Sequence, residues 1–242
     1  MTDSTSPTIV LVHGAFAESA SWNNVIDALL RADYPVVAAA NPLRGVAADA
    51  EAVSDLVRTI AGPVVLVGHS YGGAVISNVE AGAGDIRALV YVAAFAPAPG
   101  ETCLELTSRF SGSTLGATLE TITRSDGSID LAIARDRFHA QFAADVSPGD
   151  AALMAATQRP VAQTALEEPA GDRPLWKEIA SSFVFGDLDL SIPPAALRWM
   201  AERAEARQTV ELAGASHALS VSRPSETAEV LLQAATRATA AD

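Results

Sequence analysis

The sequence predicts an α/β fold in which a parallel β-sheet is covered by helices on both faces. Short apolar runs rich in β-branched residues alternate with segments whose apolar residues recur at helical spacing. This alternation is typical of right-handed βαβ units, which build a parallel sheet, here of about six strands. The chain has 242 residues, of which 49% are hydrophobic, so a single large domain can bury its own core.

The first part of the chain contains four predicted strands with helices between them. The strands are expected at residues 8–12, 34–39, 64–67 and 87–93. Ser21 is a candidate N-cap, because the apolar residues from Trp22 to Leu29 follow it at helical spacing. A second predicted helix has its apolar face between Val53 and Ile60.

The alternating pattern stops at Pro97, and a long irregular segment follows. This segment contains a predicted hairpin around Ser125-Asp126-Gly127 and two short predicted helices. The pattern then resumes with strands at 182–185 and 208–212 and helices at 194–204 and 224–238. We therefore expect a core formed by residues 1–97 and 175–242 and an inserted lid formed by residues 98–174. An insertion at the carboxyl ends of the strands flanks the place where ligands bind, even if it is only decorative.

Composition narrows the function classes. The net charge of −13 argues against nucleic acid and against an anionic membrane surface as partners. Cys103 is the only cysteine, so no intrachain disulfide and no cysteine-based metal site can form. Residues 1–7 lack the basic and apolar regions of a signal peptide, and no apolar run is long enough to span a bilayer. We therefore expect a cytoplasmic protein without a membrane partner.

The most informative motif is Gly68-His69-Ser70-Tyr71-Gly72, which reads G-x-S-x-G and directly follows the third predicted strand. A sharp turn from strand into helix holds a serine hydroxyl out of the sheet and forces the serine backbone to positive φ. Strand and helix then approach so closely that glycine is needed two residues on either side. This context predicts Ser70 as a nucleophile, with an ordinary turn serine as the alternative.

A serine nucleophile needs a general base, and the base needs a carboxylate that orients it. His217 follows the last predicted strand, whose C-terminal loop can reach the sheet edge near Ser70, so it is the expected base. Asp187 and Asp189 both follow the preceding strand. We favour Asp189, which lies deeper in the loop, and assign Asp187 to a turn in which it bonds its own backbone.

An oxyanion formed by attack of the serine needs two preorganised N–H donors. Tyr71 follows the nucleophile at a helix N-terminus and is expected to supply one of them. The loop after the first strand, His13-Gly14-Ala15-Phe16, is expected to supply the other, with Ala15 as the leading donor and Phe16 as the second candidate.

These motifs together resemble the α/β-hydrolase superfamily, and the resemblance covers essentially the whole chain. The matching segments are His13-Gly14-Ala15, Gly68 to Gly73, Gly186 to Asp189, and Ser216-His217-Ala218. They are most similar to the compact branch that holds plant methyl-salicylate esterases, hydroxynitrile lyases and bacterial esterase relatives. The resemblance implies the α/β-hydrolase fold with an inserted lid. It also implies Ser70 as nucleophile, His217 as base, Asp189 as acid, and the N–H groups of Ala15 and Tyr71 as oxyanion hole.

One departure from the lyases of that branch is informative. Those lyases use a lysine next to the catalytic histidine to hold cyanide, whereas Ala218 follows His217 here. Lys177 is the only lysine in the chain and lies just past the expected lid. The sequence therefore argues against cyanohydrin cleavage.

The residues predict a cofactor-independent serine esterase that acts through an acyl-enzyme on a small, largely uncharged ester, thioester or lactone. No metal is expected, because the four histidines lie on different elements without a close ligand pair. Candidates for the apolar pocket walls, each of which could instead pack in the core of the lid or domain, are Phe16, Leu104, Leu106, Phe110, Phe138 and Phe142. Two other classes stay open: non-hydrolytic chemistry on the same scaffold, such as perhydrolysis, C–C cleavage or lyase action, and a ligand receptor with a vestigial triad. The oligomeric state is not predicted.

Overall fold

A computed structural model describes residues 6–239, which contain nine β-strands. The strands are β1 (Thr8–Val12), β2 (Val36–Ala39), β3 (Pro63–His69), β4 (Asp85–Val92), β5 (Leu119–Thr123), β6 (Ile129–Ile133), β7 (Val161–Ala162), β8 (Ser181–Gly186) and β9 (Gln208–Leu212). Six of them form a parallel sheet in the order β2-β1-β3-β4-β8-β9, which confirms the predicted sheet. Residues 1–5 of the segment used to exclude a signal peptide, and residues 240–242 of the expected core, lie outside the described residues.

Helices flank this sheet. They are α1 (Asn23–Arg31), α2 (Val46–Arg58), α3 (Tyr71–Ser77), α4 (Cys103–Ser108), α5 (Arg135–Phe142), α6 (Pro148–Thr157), α7 (Gln163–Glu167), α8 (Pro194–Arg203), α9 (Leu219–Ser222) and α10 (Pro224–Thr239). Helix α10 packs against α1 and contacts β3, β4 and β8, whereas α3 packs against α2 and contacts β1, β3 and β4. Within residues 6–239, no helix combines the length and apolarity needed to cross a membrane.

The expected capping of α1 by Ser21 is wrong. Residues Ser19–Trp22 form a 3₁₀ turn, and α1 begins after Trp22. The Ser21 hydroxyl donates to the carbonyl of Glu18 instead of accepting from the start of the helix. The serine therefore closes the preceding turn. A serine before an apolar helical pattern is compatible with both a turn and an N-cap, so the sequence alone does not separate them.

The segment between β4 and β8 forms a small structure of its own above the parallel sheet's loops. Strands β5, β6 and β7 make an antiparallel sheet, and β5 and β6 form the predicted hairpin. Several hydrogen bonds connect this segment to loops of the parallel sheet, and two of them show which loops it contacts. The Phe16 N–H donates to the Arg159 carbonyl at 3.2 Å, and the Ser113 hydroxyl donates to the Ser191 carbonyl at 3.0 Å. These contacts place the segment next to the loops that follow β1 and β8.

Candidate active site

The turn between β3 and α3 holds Ser70 in a strained backbone conformation. Its φ of 54° and ψ of −122° lie outside the regions that non-glycine residues ordinarily adopt. The Ser70 N–H donates to the carbonyl of Val92, and the Ser70 carbonyl accepts from the N–H of Phe95. Strand β3 lies between β1 and β4, so this turn is fixed at the centre of the sheet.

Two glycines allow the close approaches that this turn requires. A β-carbon at Gly68 would lie 2.5 Å from the carbonyl oxygen of Gly72, across the turn. A β-carbon at Gly14 would lie 2.6 Å from the β-carbon of Ser70 and 2.7 Å from the carbonyl oxygen of His69. Real side chains do not reach such distances without displacement, so glycine is required at both positions.

His217 and Asp189 form a buried pair. The Nδ1 of His217 lies 2.6 Å from Oδ2 of Asp189, and the two residues are 1% and 2% exposed. The other carboxylate oxygen of Asp189 accepts the N–H groups of Ser191 and Ile192 at 2.8 and 2.9 Å. Since the carboxylate can only accept from Nδ1–H, a neutral His217 ring carries its proton on Nδ1 and keeps a lone pair on Nε2. This Nε2 is buried and has no hydrogen-bond partner among the described residues.

The two candidate carboxylates have separate partners. Asp187 accepts the N–H of Gly214 at 2.6 Å, whereas the carboxylate hydrogen-bonded to His217 is that of Asp189. The expectation that Asp187 bonds its own backbone is wrong, because its partner lies 27 residues further along the chain. Asp187 instead fixes the start of the loop that carries His217.

The other two histidines near the site serve as structural contacts. In His13, Nε2 accepts the N–H of Asn41 and Nδ1 lies 3.0 Å from the Gly14 carbonyl, to which it donates. His69 donates from Nε2 to the main-chain carbonyl of His217 at 3.0 Å. Burial, followed by the nearby charge of His217, lowers the pKa of His69 to about 3, and burial also lowers the pKa of His13. Both rings stay neutral and hold backbone near Ser70.

The oxyanion candidates differ in the availability of their N–H groups. Tyr71 is the first residue of α3, where an N–H has no acceptor within its own helix. Ala15 N–H makes no hydrogen bond to another described residue, whereas the N–H of Phe16 is engaged by Arg159. Ala15 and Tyr71 are therefore the two candidate donors whose amides are free, and both residues line the cavity described next.

The side chain of Tyr71 has a different partner from its main chain. Its hydroxyl donates to Oδ2 of Asp49 at 2.8 Å, and the same carboxylate accepts the N–H of Arg44. Burial raises the pKa of the Tyr71 hydroxyl and also that of the Asp49 carboxyl. The hydroxyl is thereby held by Asp49 of helix α2, and Tyr71 also lines the cavity described next.

A cavity of about 260 Å³ joins Ser70, His217, Ala15 and Tyr71. Most of its remaining wall is apolar and comes from Phe95, Leu115, Leu119, Leu131, Leu166 and Ile192. Four further polar side chains line it, namely Thr107, Gln163, Ser191 and Glu167. A volume at the small end of ligand sites accommodates a compact, mainly apolar molecule.

The predicted wall residues divide into two groups. Phe16, Leu104 and Phe142 line the cavity. Leu106, Phe110 and Phe138 do not: Leu106 is buried, Phe138 packs against Phe142, and Phe110 packs against Trp199. These three therefore lie among core contacts. Sequence reasoning missed Ser191, for which the only signal is its place two residues after Asp189.

The sequence matches the model of a known protein family. Residues 9–230 match the alpha/beta hydrolase family, and the chain belongs to it. The predicted superfamily and fold are thereby confirmed, and the protein is an enzyme of the hydrolase class.

Individual relatives cover nearly the full chain. Esterase PIR7B from rice, Oryza sativa subsp. japonica, is 28% identical over 255 residues, which span 94% of this chain and 95% of the relative. The structure of polyneuridine aldehyde esterase is 20% identical, with a TM-score of 0.77 over 95% of this chain and 99% of that one. A pyrethroid hydrolase from Sphingobium faniae JZ-2 is 22% identical, with a TM-score of 0.75 over 96% and 98%. At these identities the two structures show the shared fold.

Proposed function

We propose that the protein is a cofactor-independent serine esterase that hydrolyses a small, largely uncharged carboxylic ester, thioester or lactone through an acyl-enzyme. The observation that carries the proposal is the Asp189–His217 pair at 2.6 Å, whose free Nε2 belongs to the same cavity wall as the strained Ser70. The names of the rice esterase and of the pyrethroid hydrolase support ester chemistry.

In the proposed reaction, Ser70 Oγ attacks the ester carbonyl carbon while His217 Nε2 takes the hydroxyl proton. Asp189 accepts from Nδ1–H and stabilises the imidazolium that forms. The N–H groups of Ala15 and Tyr71 stabilise the oxyanion. The tetrahedral intermediate collapses as His217 gives its proton to the leaving alcohol. His217 then takes a proton from water, which attacks the acyl-serine. As the second tetrahedral intermediate collapses and releases the acid, His217 returns that proton to Ser70 Oγ.

The cavity wall supports the substrate class. It is small and mainly apolar, and Glu167 adds a carboxylate to it in a chain whose net charge is −13. An anionic substrate would therefore be repelled. In this proposal, residues 98–174 form the lid, which supplies Leu104 and Phe142 to the wall. Residues 1–97 and 175–242 form the core that carries the reacting groups.

The test is hydrolysis of p-nitrophenyl acetate and butyrate by the wild type and by Ser70→Ala, with the pre-steady-state burst recorded. We expect a burst near one equivalent in the wild type and none in the variant, whose kcat falls by about 10⁴- to 10⁶-fold because the nucleophile is gone. Equal rates in the two proteins would show that Ser70 is not the nucleophile. Circular dichroism of both proteins checks that the fold is retained.

A further inference from the structure

Ser191 lines the cavity, and the proposed reaction does not use its hydroxyl. The residue is 2% exposed, and its Oγ has no hydrogen-bond partner among the described residues. Within residues 6–239, the buried side-chain polar atoms that lack a partner and belong to cavity-lining residues are Ser191 Oγ and His217 Nε2. The proton transfer explains the histidine nitrogen, whereas the serine hydroxyl is left without a role.

A buried hydroxyl without a protein partner keeps its capacity to donate and to accept, which a molecule bound in the cavity can use. The backbone around Ser191 does not allow the residue to relax away. Its N–H donates to Asp189 at 2.8 Å, and its carbonyl accepts from the Ser113 hydroxyl at 3.0 Å. Ser191 is therefore fixed from both sides, directly beside the carboxylate that orients His217.

The other additional polar side chains in the wall have partners inside the protein. The Thr107 hydroxyl donates to the carbonyl of Cys103, and the Gln163 amide donates to the Glu167 carboxylate. Ser191 thus differs from Thr107 and Gln163, because its side-chain hydroxyl makes no hydrogen bond to another described residue. A serine hydroxyl can donate to a carbonyl oxygen, and it can both donate to and accept from another hydroxyl. Glu167 in the same wall disfavours a negatively charged partner.

We propose that Ser191 is a specificity-determining residue that hydrogen-bonds a second, neutral oxygen of the substrate, separate from the ester that is cleaved. The inference rests on the proposed esterase function and narrows its substrate class to small esters that carry one hydroxyl or keto oxygen on an otherwise apolar chain. An ester without this oxygen leaves the buried hydroxyl unpaired and binds less well than its size allows.

The experiment measures binding separately from turnover. Methyl hexanoate and its monohydroxy and mono-oxo derivatives, substituted at each chain carbon in turn, are titrated calorimetrically into Ser70→Ala, which cannot form an acyl-enzyme. The titrations are repeated with Ser70→Ala/Ser191→Ala and with Ser70→Ala/Ser181→Ala. Ser181 is the matched control, because its hydroxyl is also buried without a partner but the residue does not line this cavity. Alanine at 191 keeps both main-chain bonds, so we expect a folded protein.

We expect at least one oxygenated ester to lose about tenfold in affinity, relative to methyl hexanoate, when Ser191 is replaced, and to keep its relative affinity when Ser181 is replaced. The inference is overturned if no derivative shows a loss specific to Ser191, or if the Ser181 control shows the same loss. Turnover of the same esters by the wild type tests the esterase proposal separately. If binding depends on Ser191 but no ester is hydrolysed in a Ser70-dependent way, the esterase proposal alone is overturned. If the esters are hydrolysed but their binding does not depend on Ser191, this inference alone is overturned.

Discussion

The loops of the parallel sheet and the segment of residues 98–174 meet at one cavity but contribute different chemistry to it. The sheet loops contribute Ser70, His217 and Ser191, whose positions depend on specific main-chain bonds. The inserted segment contributes mainly leucine side chains, such as Leu131, together with Phe142. Its polar side chains in the wall have no part in the proposed reaction. A hydrogen bond or a reacting pair requires a narrow distance and angle, so a small displacement of one atom removes it. An apolar contact can be made by another apolar side chain of similar size. We therefore expect changes in the sheet loops to affect rate and changes in the inserted segment to affect substrate preference.

Among substitutions that leave the Ser70 hydroxyl in place, the largest expected effect comes from Asp189, the carboxylate paired with His217. Asp189→Asn places an amide where the Nδ1–H of His217 needs an acceptor, so the imidazole is held in the wrong tautomer, and kcat should fall by about 10⁴-fold. Asp187→Asn is the matched control, because asparagine can still accept the Gly214 N–H, and kcat should change by less than about tenfold. Steady-state hydrolysis of p-nitrophenyl butyrate measures both. Similar losses in the two variants would show that the carboxylates are assigned wrongly.

A smaller loss is expected from the close approach at Gly14. Gly14→Ala puts a β-carbon against Ser70 and forces the loop after β1 or the turn that holds Ser70 to move, which should lower kcat by about 10²-fold. Gly116→Ala is the control in the inserted segment. Gly116 also lines the cavity, but a β-carbon there would meet nothing within 4 Å, so activity should stay near the wild-type value. Equal effects of the two substitutions would contradict the contrast between the regions.

We expect the stability of the folded protein to decrease at low pH because of the sheet loops, where the neutral rings of His13 and His69 are buried. The pKa of His69 is about 3 in the folded protein, against an ordinary value of 6.5. Below pH 6.5 the unfolded chain therefore binds a proton that the folded chain does not. As the pH decreases below 6.5, the free energy of unfolding therefore decreases by about 1.4 kcal/mol per pH unit. By about pH 5 the loss from this residue alone is about 2 kcal/mol. The lowered pKa of His13 acts in the same direction.

Urea unfolding of the wild type and of His69→Gln at several pH values checks this expectation. Glutamine can still donate to the His217 carbonyl but does not titrate. Below pH 6.5, the slope of unfolding free energy against pH should therefore be smaller in the variant by about 1.4 kcal/mol per pH unit, which corresponds to one proton. An unchanged slope would mean that His69 is protonated in the folded protein.

The smallest effect is expected in the inserted segment. Leu131→Ala enlarges the cavity and should raise the preference for p-nitrophenyl hexanoate over acetate by about tenfold, because longer acyl chains gain apolar contact. Leu153→Ala is the control, since Leu153 is 66% exposed and does not line this cavity. The ratio of kcat/KM values for the two esters is the measurement. A large fall in kcat for both esters in Leu131→Ala would show that the segment affects the rate itself.

The sheet could be predicted from the sequence because its signals are local. Runs such as Val64 to Val67 are buried on both faces of the sheet and therefore read as continuous apolar stretches. The hairpin around Ser125-Asp126-Gly127 was predictable for a similar reason, since its turn residues lie between alternating strands. Ser70, Asp189 and His217 follow β3, β8 and β9, so the order of the strands already places them at one edge.

The remaining details depend on contacts between distant parts of the chain. The partner of Asp187 is Gly214, and Ser21 bonds backward to Glu18, neither of which follows from residue type. Phe110 and Phe142 are both phenylalanines of residues 98–174 and were equal candidates for the cavity wall. Phe110 packs against Trp199, whereas Phe142 lines the cavity. Side-chain direction in an irregular segment is set by tertiary packing, and periodicity does not report it.

The loop after β8 has a consequence for how such an enzyme acquires new substrates. Asp189 is held by the main-chain amides of residues 191 and 192, which every amino acid except proline provides. The side chains at the same two positions line the cavity. Mutational libraries at 191 and 192 should therefore contain many active members with altered selectivity. A lineage can move from one ester to another along this loop without passing through an inactive ancestor.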